Sequence, residues 1–367
     1  MVEIFAEGVI KSMDAVTQHE FPWEKFEQKA KNLGFLQMGW AELSPTDNSG
    51  VERYRQWLSQ NHHGEMEYLK RHLPIKENPE LLKLGLKSAF VFSFPYFPHP
   101  APLESLADSE NPLRIALYAQ GEDYHHWLQA KLEDIQKDLQ LEYPGEIFLS
   151  ATDSKPVLER DLAHRAGLGW FGKNTCLIDR KHGSLFLIGE VLTSLELTKK
   201  MEISADFCGT CTRCIDICPT EALEEPRRLN ANKCISYLTI ESPTSPPENL
   251  RSSIGDWFFG CDLCQTVCPW NQKIFKEKLE VIPTRSLTLE QKQKLTEELR
   301  LILKLSGKQL LKKYLGSPLS RAGHRGLRRN AMLVIANQKI QGLHTEIETW
   351  LSDEKLGELA KWTLAQL

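Results

Sequence analysis

Thiol side chains crowd one short stretch of this chain. Eight of its nine cysteines lie between Cys208 and Cys268, most of them in two runs, Cys208-x2-Cys211-x2-Cys214-x3-Cys218-Pro219 and Cys261-x2-Cys264-x3-Cys268-Pro269. That spacing is the ligand pattern of a two-cluster ferredoxin, a module that moves electrons. Counted backwards from its Cys-Pro, the second run has Phe258 where the first has Cys208, and a phenyl ring cannot bind iron. Cys234, alone between the runs, restores the total to eight, which suits two [4Fe-4S] clusters with four thiolates each. The fourth cysteine of such a run reaches across to the other cluster. Cys208, Cys211, Cys214 and Cys268 are therefore assigned to one cluster, and Cys218, Cys234, Cys261 and Cys264 to the other. Zinc also takes four thiolates, but usually from two separated hooks rather than from one tight run ended by proline. Disulfides are disfavoured by the same tight spacing and by the lack of a secretory context. Cys176 stands alone and reads as a small buried apolar residue.

Other groups could do chemistry only in the right setting. Gly167-Leu168-Gly169-Trp170-Phe171-Gly172-Lys173-Asn174 satisfies G-x-G-x-x-G and misses the nucleotide-binding G-x4-G-K-[ST] loop by one residue, Asn174. Both motifs require a strand before the loop and a helix after it. Here the preceding Val157 to Ala166 reads as a helix, so the glycines are expected to end it. His125 and His126 lack a second set of ligands at usable spacing and read as polar residues at a helix start. Between Lys304 and Asn330 lie Lys304, Lys308, Lys312, Lys313, Arg321, Arg325, Arg328 and Arg329 with no acid, in a chain of net charge -4. Such a stripe either binds phosphates or is a solvated helix face.

Three regions must position these groups. Residues 1–199 read as mixed α/β: helices from Pro22 to about Leu33, within Val51 to Leu69, and from Asp123 to Leu141, with strand-like runs at Ser88 to Phe94, Glu146 to Ala151 and Leu185 to Leu192. A sheet covered by helices follows. Residues 200–276 carry the cysteines, with a proline-rich stretch, Ser242 to Pro247, expected as an exposed loop, and ligation would supply much of the folding free energy. Residues 277–367 are helical, and Leu327 to Ala336 resembles one helix of a HEAT-type pair, although no clean repeat is present. The first residues contain Glu3, Glu7 and Asp14 and no long apolar run, so no export leader is expected, and no stretch reaches the ~18 apolar residues of a membrane span. Oxygen-sensitive clusters then point to the cytoplasm.

Motifs in the first two regions resemble the epoxyqueuosine reductase family: His63-Gly64-Glu65-Met66-Glu67-Tyr68-Leu69, Gly121-Glu122-Asp123-Tyr124-His125, Thr152-Asp153-Ser154 followed by Glu159-Arg160, Ala166-Gly167-Leu168-Gly169 with Gly172-Lys173-Asn174, and Cys234-Ile235-Ser236-Tyr237-Leu238-Thr239. The resemblance runs over nearly the whole chain. It implies an α+β protein: a nitroreductase-like cobalamin-binding domain (1–199), a ferredoxin-like module with two [4Fe-4S] clusters (200–276) and a HEAT-like helical region that contacts tRNA (277–367). It also implies reduction of epoxyqueuosine to queuosine in the tRNA anticodon stem-loop by a monomer fed by an external low-potential electron donor. No Asp-x-His-x-x-Gly string is present, which fits cobalamin bound base-off.

The resemblance further assigns residues. Asp153 would be the proton donor and would touch cofactor; since an ordinary aspartate is ionised at neutral pH, the role requires burial or a nearby negative charge to raise its pKa. The alternative is a helix cap. Arg160 would lie near the modified base, or make an ordinary surface ion pair. Ser236, Cys261 and Asp262 would line the corrin, Asp262 being otherwise a turn residue. Arg321, Arg325, Arg328 and Arg329 would contact the tRNA backbone. Two rivals remain: a reductive dehalogenase acting on a small organohalide, and a non-catalytic ferredoxin-type subunit.

Overall fold

A computed structural model of the protein describes residues 21–44, 48–97, 112–197, 199–275 and 285–367. The first 20 residues, on which the leader expectation rests, and the boundary at 276/277 lie outside them.

The sheet of the first region has four strands, in the order Gln37–Glu42, Ser88–Pro95, Phe186–Thr193, Phe148–Ala151, every neighbouring pair antiparallel. Three were expected. Gln37–Glu42 was not, because Gln-Met-Gly-Trp-Ala-Glu neither alternates nor forms an apolar run; tertiary pairing with Ser88–Pro95 makes it a strand. Helix Tyr124–Glu142 buries Leu128, Leu132, Ile135 and Leu139 on one stripe, and these pack with Phe90, Phe92 and Val191 on one face of the sheet. Each such side chain contributes about 1.5–3 kcal/mol by leaving water. Helix Glu159–Arg165 covers the other face, its Leu162 and Ala163 meeting Val91, Ala151 and Leu192. It ends at Gly167, which has φ +80°, and only the two-residue strand Trp170–Phe171 follows, so the glycines do end a helix. The helix expected within Val51 to Leu69 is two, Ser49–Ser59 and Glu67–Arg71, interrupted by left-handed Asn61 and Gly64.

The described part of the cysteine region has short elements only, among them helices Arg213–Asp216, Ile235–Ile240 and Leu263–Thr266 and strands Leu223–Glu225 and Trp257–Phe259. Beyond it, helix Leu289–Lys304 starts on a Thr288/Gln291 capping box and Gly307–Lys313 on a Ser306/Gln309 one. Helix Gly323–Gln338 runs through the middle of this region and is buried on every side from Gly326 to Ala336. One apolar core joins Leu113 and Ile115 to Ile235, Phe258, Phe259 and Leu263 and on to Leu299, Leu327 and Leu359. The helical region and the cysteine region therefore stand on shared packing. No described helix is long and apolar enough to cross a membrane.

Candidate active site beside the cysteine region

Asp153 follows strand Phe148–Ala151 and keeps 31% of its side chain exposed. It caps no helix: the next one begins at Glu159 after Leu158, without a side-chain cap. Instead it is held from three directions. The Tyr124 hydroxyl donates to Oδ2, His125 Nε2 lies 2.5 Å from Oδ1, and Arg321 Nη1 is 3.9 Å from Oδ2. Asp123, the N-cap of helix Tyr124–Glu142, accepts from the His125 backbone and stands 2.5 Å from Nδ1. One imidazole is thus clamped between two carboxylates.

The protons follow from these contacts. Nδ1 donates to Asp123, so it carries a hydrogen. Nε2 is also 2.7 Å from Arg321 Nη2, and a guanidinium only donates, which calls for a lone pair on Nε2; the Asp153 carboxylate calls for a proton. Nε2 has one in-plane position and can answer only one of them; the carboxylate is the nearer, so the proton lies between Nε2 and Asp153 Oδ1 and is shared by that pair, with Arg321 acting on it as a neighbouring charge. Burial favours a neutral Asp153, but the bonds from His125 and Tyr124 and the charge of Arg321 outweigh it and hold the carboxyl below its usual range. Burial likewise opposes charge on His125, and Asp153 and Asp123 overcome it and raise the imidazole. This corrects the expectation that Asp153 would be raised: its neighbours are cations and donors, and the transferable proton rests mainly on His125. Tyr124, at the foot of the pair, is buried and pushed far above the usual phenol range, so it stays a donor.

The thiols fall into two groups. Burial, with Cys268, Cys208 and Cys211 as neighbours, pushes the Cys214 thiol up to about 11. Cys264 is raised further, by burial and then by Cys176, Cys261, Cys234 and Cys218. Backbone N–H groups point at several sulfurs, including Ala222 at Cys218 (3.3 Å), Ser236 and Tyr237 at Cys234, and Trp270 and Asn271 at Cys268. Neighbouring thiols, half-buried save for buried Cys268 and met by amide donors, are a donor set that suits iron–sulfur clusters, whose potential such hydrogen bonds tune. Cys176 is half-buried, and burial first of all pushes its thiol up to about 12, in keeping with an inert residue.

Asp262 links the two places. Fully buried, it reaches back to accept the Leu117 N–H (2.7 Å) through Oδ2, while Oδ1 has no hydrogen-bond partner among the described residues. Burial pushes its carboxyl up to about 6. An orphaned buried oxygen beside Tyr118, itself close to Arg321 and Asp153, is what a ligand bearing amide donors would satisfy. Ser236 is half-buried at the first turn of helix Ile235–Ile240. Arg160 donates to the Thr175 carbonyl (2.9 Å), next to Cys176.

Two expected nucleic-acid contacts are corrected. Arg328 donates to the Leu305 carbonyl (2.6 Å) and covers the Trp350 ring; Arg329 bonds the Ser242 and Thr244 carbonyls. Both are buried, because they sit on the helix that runs through the core, and neither can face a phosphate. Arg329 also pins the proline-rich stretch, in which Ser242 and Pro246 are buried rather than exposed. Arg325 is exposed, and Arg321 lies in the Asp153 pocket instead of on an outer stripe.

Comparison with known proteins gives the family. Epoxyqueuosine reductase of Escherichia coli (strain K12) is 33% identical over 346 residues, spanning 94% of this chain and 89% of that protein. The chain belongs to the epoxyqueuosine reductase family. The epoxyqueuosine reductase of Cyclobacterium marinum is 40% identical over 67% of this chain and 78% of its own length. A family model described as epoxyqueuosine reductase QueG, DUF1730, matches residues 76–154, and one for a 4Fe-4S double cluster binding domain matches residues 207–271. Among solved structures, an epoxyqueuosine reductase with a tRNA-Tyr epoxyqueuosine-modified stem loop superposes with TM-score 0.78 at 26% identity, over 94% of this chain and 89% of that one. The first family match ends one residue beyond Asp153, and the second contains all eight clustered cysteines.

The sequence reading set His125 aside as a polar residue at a helix start and gave it no role, although its neighbours Asp123 and Tyr124 were a usable signal: three hydrogen-bonding side chains at one helix start. It also passed over Glu190, a charge inside the strand run Leu185 to Leu192.

Proposed function

We propose that this protein is an oxidoreductase that reduces epoxyqueuosine to queuosine in the tRNA anticodon stem-loop, in the cytoplasm and as a monomer. Supporting this reading is the protonated Asp153–His125 pair in a member of the epoxyqueuosine reductase family that also gathers thiols around Cys214 and around Cys264. Opening an epoxide to an alkene consumes two electrons and two protons and releases water. The site therefore needs an electron line and an acid.

Cys208, Cys211, Cys214 and Cys268 would hold one [4Fe-4S] cluster, and Cys218, Cys234, Cys261 and Cys264 the other, passing electrons inward from an external low-potential donor. Ser236, Cys261 and Asp262 would line base-off cobalamin, Asp262 Oδ1 offering its free acceptor to a corrin amide. Bound there, cobalamin supplies a strongly reducing metal centre close to the modified base. Asp153 carries the shared proton to the epoxide oxygen, and His125 stores it. Tyr124 and Arg321 fix the Asp153 carboxylate in place, and Asp123 fixes the ring of His125. Arg160 would approach the modified base. Arg325, with exposed Lys308 and Lys312, would meet the tRNA backbone. Residues 1–199 then form the cobalamin domain, on a nitroreductase-like sheet, 200–276 the electron module and 277–367 a HEAT-like tRNA-facing region.

Anaerobic incubation with epoxyqueuosine-containing tRNA, a reductant and cobalamin, read by nucleoside mass spectrometry, tests the reading. Queuosine is the expected product; unaltered epoxyqueuosine contradicts it. Stoichiometric cobalamin in the purified protein separates an enzyme from a plain ferredoxin-type subunit.

A further inference from the structure

One buried acid has no part in the chemistry above. Strand Phe186–Thr193 is central in the sheet, and Glu190 lies opposite Val91 on one side and Ala151 on the other. Its side chain has no exposure, and neither carboxyl oxygen has a hydrogen-bond partner among the described residues. The flanking strands, Ser88–Pro95 and Phe148–Ala151, contain no charged residue. The ionisable groups that face Glu190 are Glu159 from helix Glu159–Arg165, Asp153 two residues beyond Ala151, and Lys76, whose ammonium donates to the Val157 carbonyl at 2.7 Å. An isolated carboxylate in such a place costs several kcal/mol, so the group keeps its proton. Burial first, then Glu159 and Asp153, push it well above the usual carboxyl range, with Lys76 opposing. Glu159 is raised in the same direction by burial and by Asp153. Glu159 is half-buried at the start of the helix that covers this face of the sheet, whereas Glu190 is sealed beneath it.

We propose that Glu190 is a proton reserve for the Asp153–His125 pair, delivering through Glu159 the second of the two protons that epoxide reduction consumes. This deepens the function proposed above and rests on it. Both carbon–oxygen bonds of the epoxide break, two electrons from the external low-potential donor form the carbon–carbon double bond, and two protons leave with the oxygen as water. The shared proton of the pair provides the first. Asp153 and neutral His125 remain, and the carboxylic acid of Glu190 re-protonates the pair by way of Glu159. The Glu190 carboxylate left behind is poorly solvated and recovers a proton from the solvent side along the same path.

Glu190→Gln tests this in the holoenzyme, because it keeps shape and neutrality and removes only the proton. Infrared spectroscopy at neutral pH should show the C=O stretch of a buried protonated carboxyl in wild type, and Glu190→Gln should lose it. Single-turnover conversion of epoxyqueuosine tRNA should slow about 10-fold or more, with a larger solvent deuterium isotope effect and unchanged tRNA affinity. A residue with only a structural role would leave rate and isotope effect as they are. Retention of the infrared band, or a rate and isotope effect equal to wild type, overturns the proposal. Should Glu190→Gln fail to fold, Glu159→Gln interrupts the same path: slowed turnover with a band still present supports the relay, and wild-type turnover overturns it. A wild-type enzyme that leaves epoxyqueuosine unreduced contradicts the function itself, whereas an active wild type matched by Glu190→Gln contradicts the relay alone.

Discussion

The cysteine region and the Asp153 pocket both draw ionisable groups out of water, and they do so in opposite ways. The cysteine region gathers eight groups of one kind, and Cys214 and Cys264 among them are raised by burial and by their like neighbours. Backbone N–H groups offset only part of that cost, and a bound metal centre is what would complete the compensation, as in other domains whose ligation free energy is folding free energy. The pocket gathers unlike groups. Asp153 is lowered and His125 raised because each answers the other, and Arg321 and Asp123 complete the balance. A self-compensated pocket holds a proton without outside help, and that proton can be given away.

Replacing one member in each region should sharpen the contrast. The largest effect is expected from Cys264→Ser, which removes one thiol of the deeper group: iron content should fall by about half and turnover below detection, since an electron line does not work in part. Cys176→Ser, outside both groups, should leave iron content at the wild-type level, and a loss there would redraw the ligand sets. Next comes Asp153→Asn, expected to cut single-turnover conversion about 10²–10⁴-fold with tRNA affinity unchanged, because it removes proton transfer and not binding. Equal turnover would remove Asp153 from the reaction.

His125→Gln should be milder in rate, about 10–10²-fold, and should also alter stability with pH. A raised imidazole stabilises the fold below its unfolded pKa of about 6.5 and loses that contribution as pH rises through its folded value. A lowered carboxyl stabilises above about 3.9 and loses its contribution as pH falls. The difference in melting temperature between wild type and His125→Gln should thus be greatest at about pH 4–6.5 and shrink on both sides. A difference that grows toward alkaline pH would show that His125 is not the cation of the pair. The smallest effects concern the basic stretch. Arg329→Ala should cost about 1–3 kcal/mol of stability, measured by denaturant unfolding, through the carbonyls it leaves unpaired, with the salt dependence of tRNA binding unchanged. Arg325→Ala should do the reverse and reduce that salt slope by about one unit.

What could be read in the sequence follows the same division. The proposed cluster ligands lie in short loops and repeat one residue type, so the chain displays the pattern in order, with Phe258 at the gap and Cys234 as the candidate to fill it. The pocket is made of single residues from segments far apart: His125 from a helix start, Asp153 after a strand, Arg321 some 170 residues later. Only the fold brings them together, and no spacing rule reports it. Charge counting misled for Arg328 and Arg329 because composition does not say which face of a helix is solvated, and helix Gly323–Gln338 has none along most of its length. Glu190 was legible in principle, as a charge in an apolar strand, but its meaning depended on Glu159 and Lys76 being brought to it.

The pH dependence of single-turnover epoxyqueuosine reduction, compared between wild type and Asp153→Asn, tests most directly whether the shared proton of Asp153 and His125 drives the reaction. Wild type should lose activity on an alkaline limb above the ordinary histidine pKa of about 6.5, and the far slower Asp153→Asn should lose it at lower pH, because the carboxylate that raises His125 is gone. An alkaline limb at the same pH in both proteins would contradict the account.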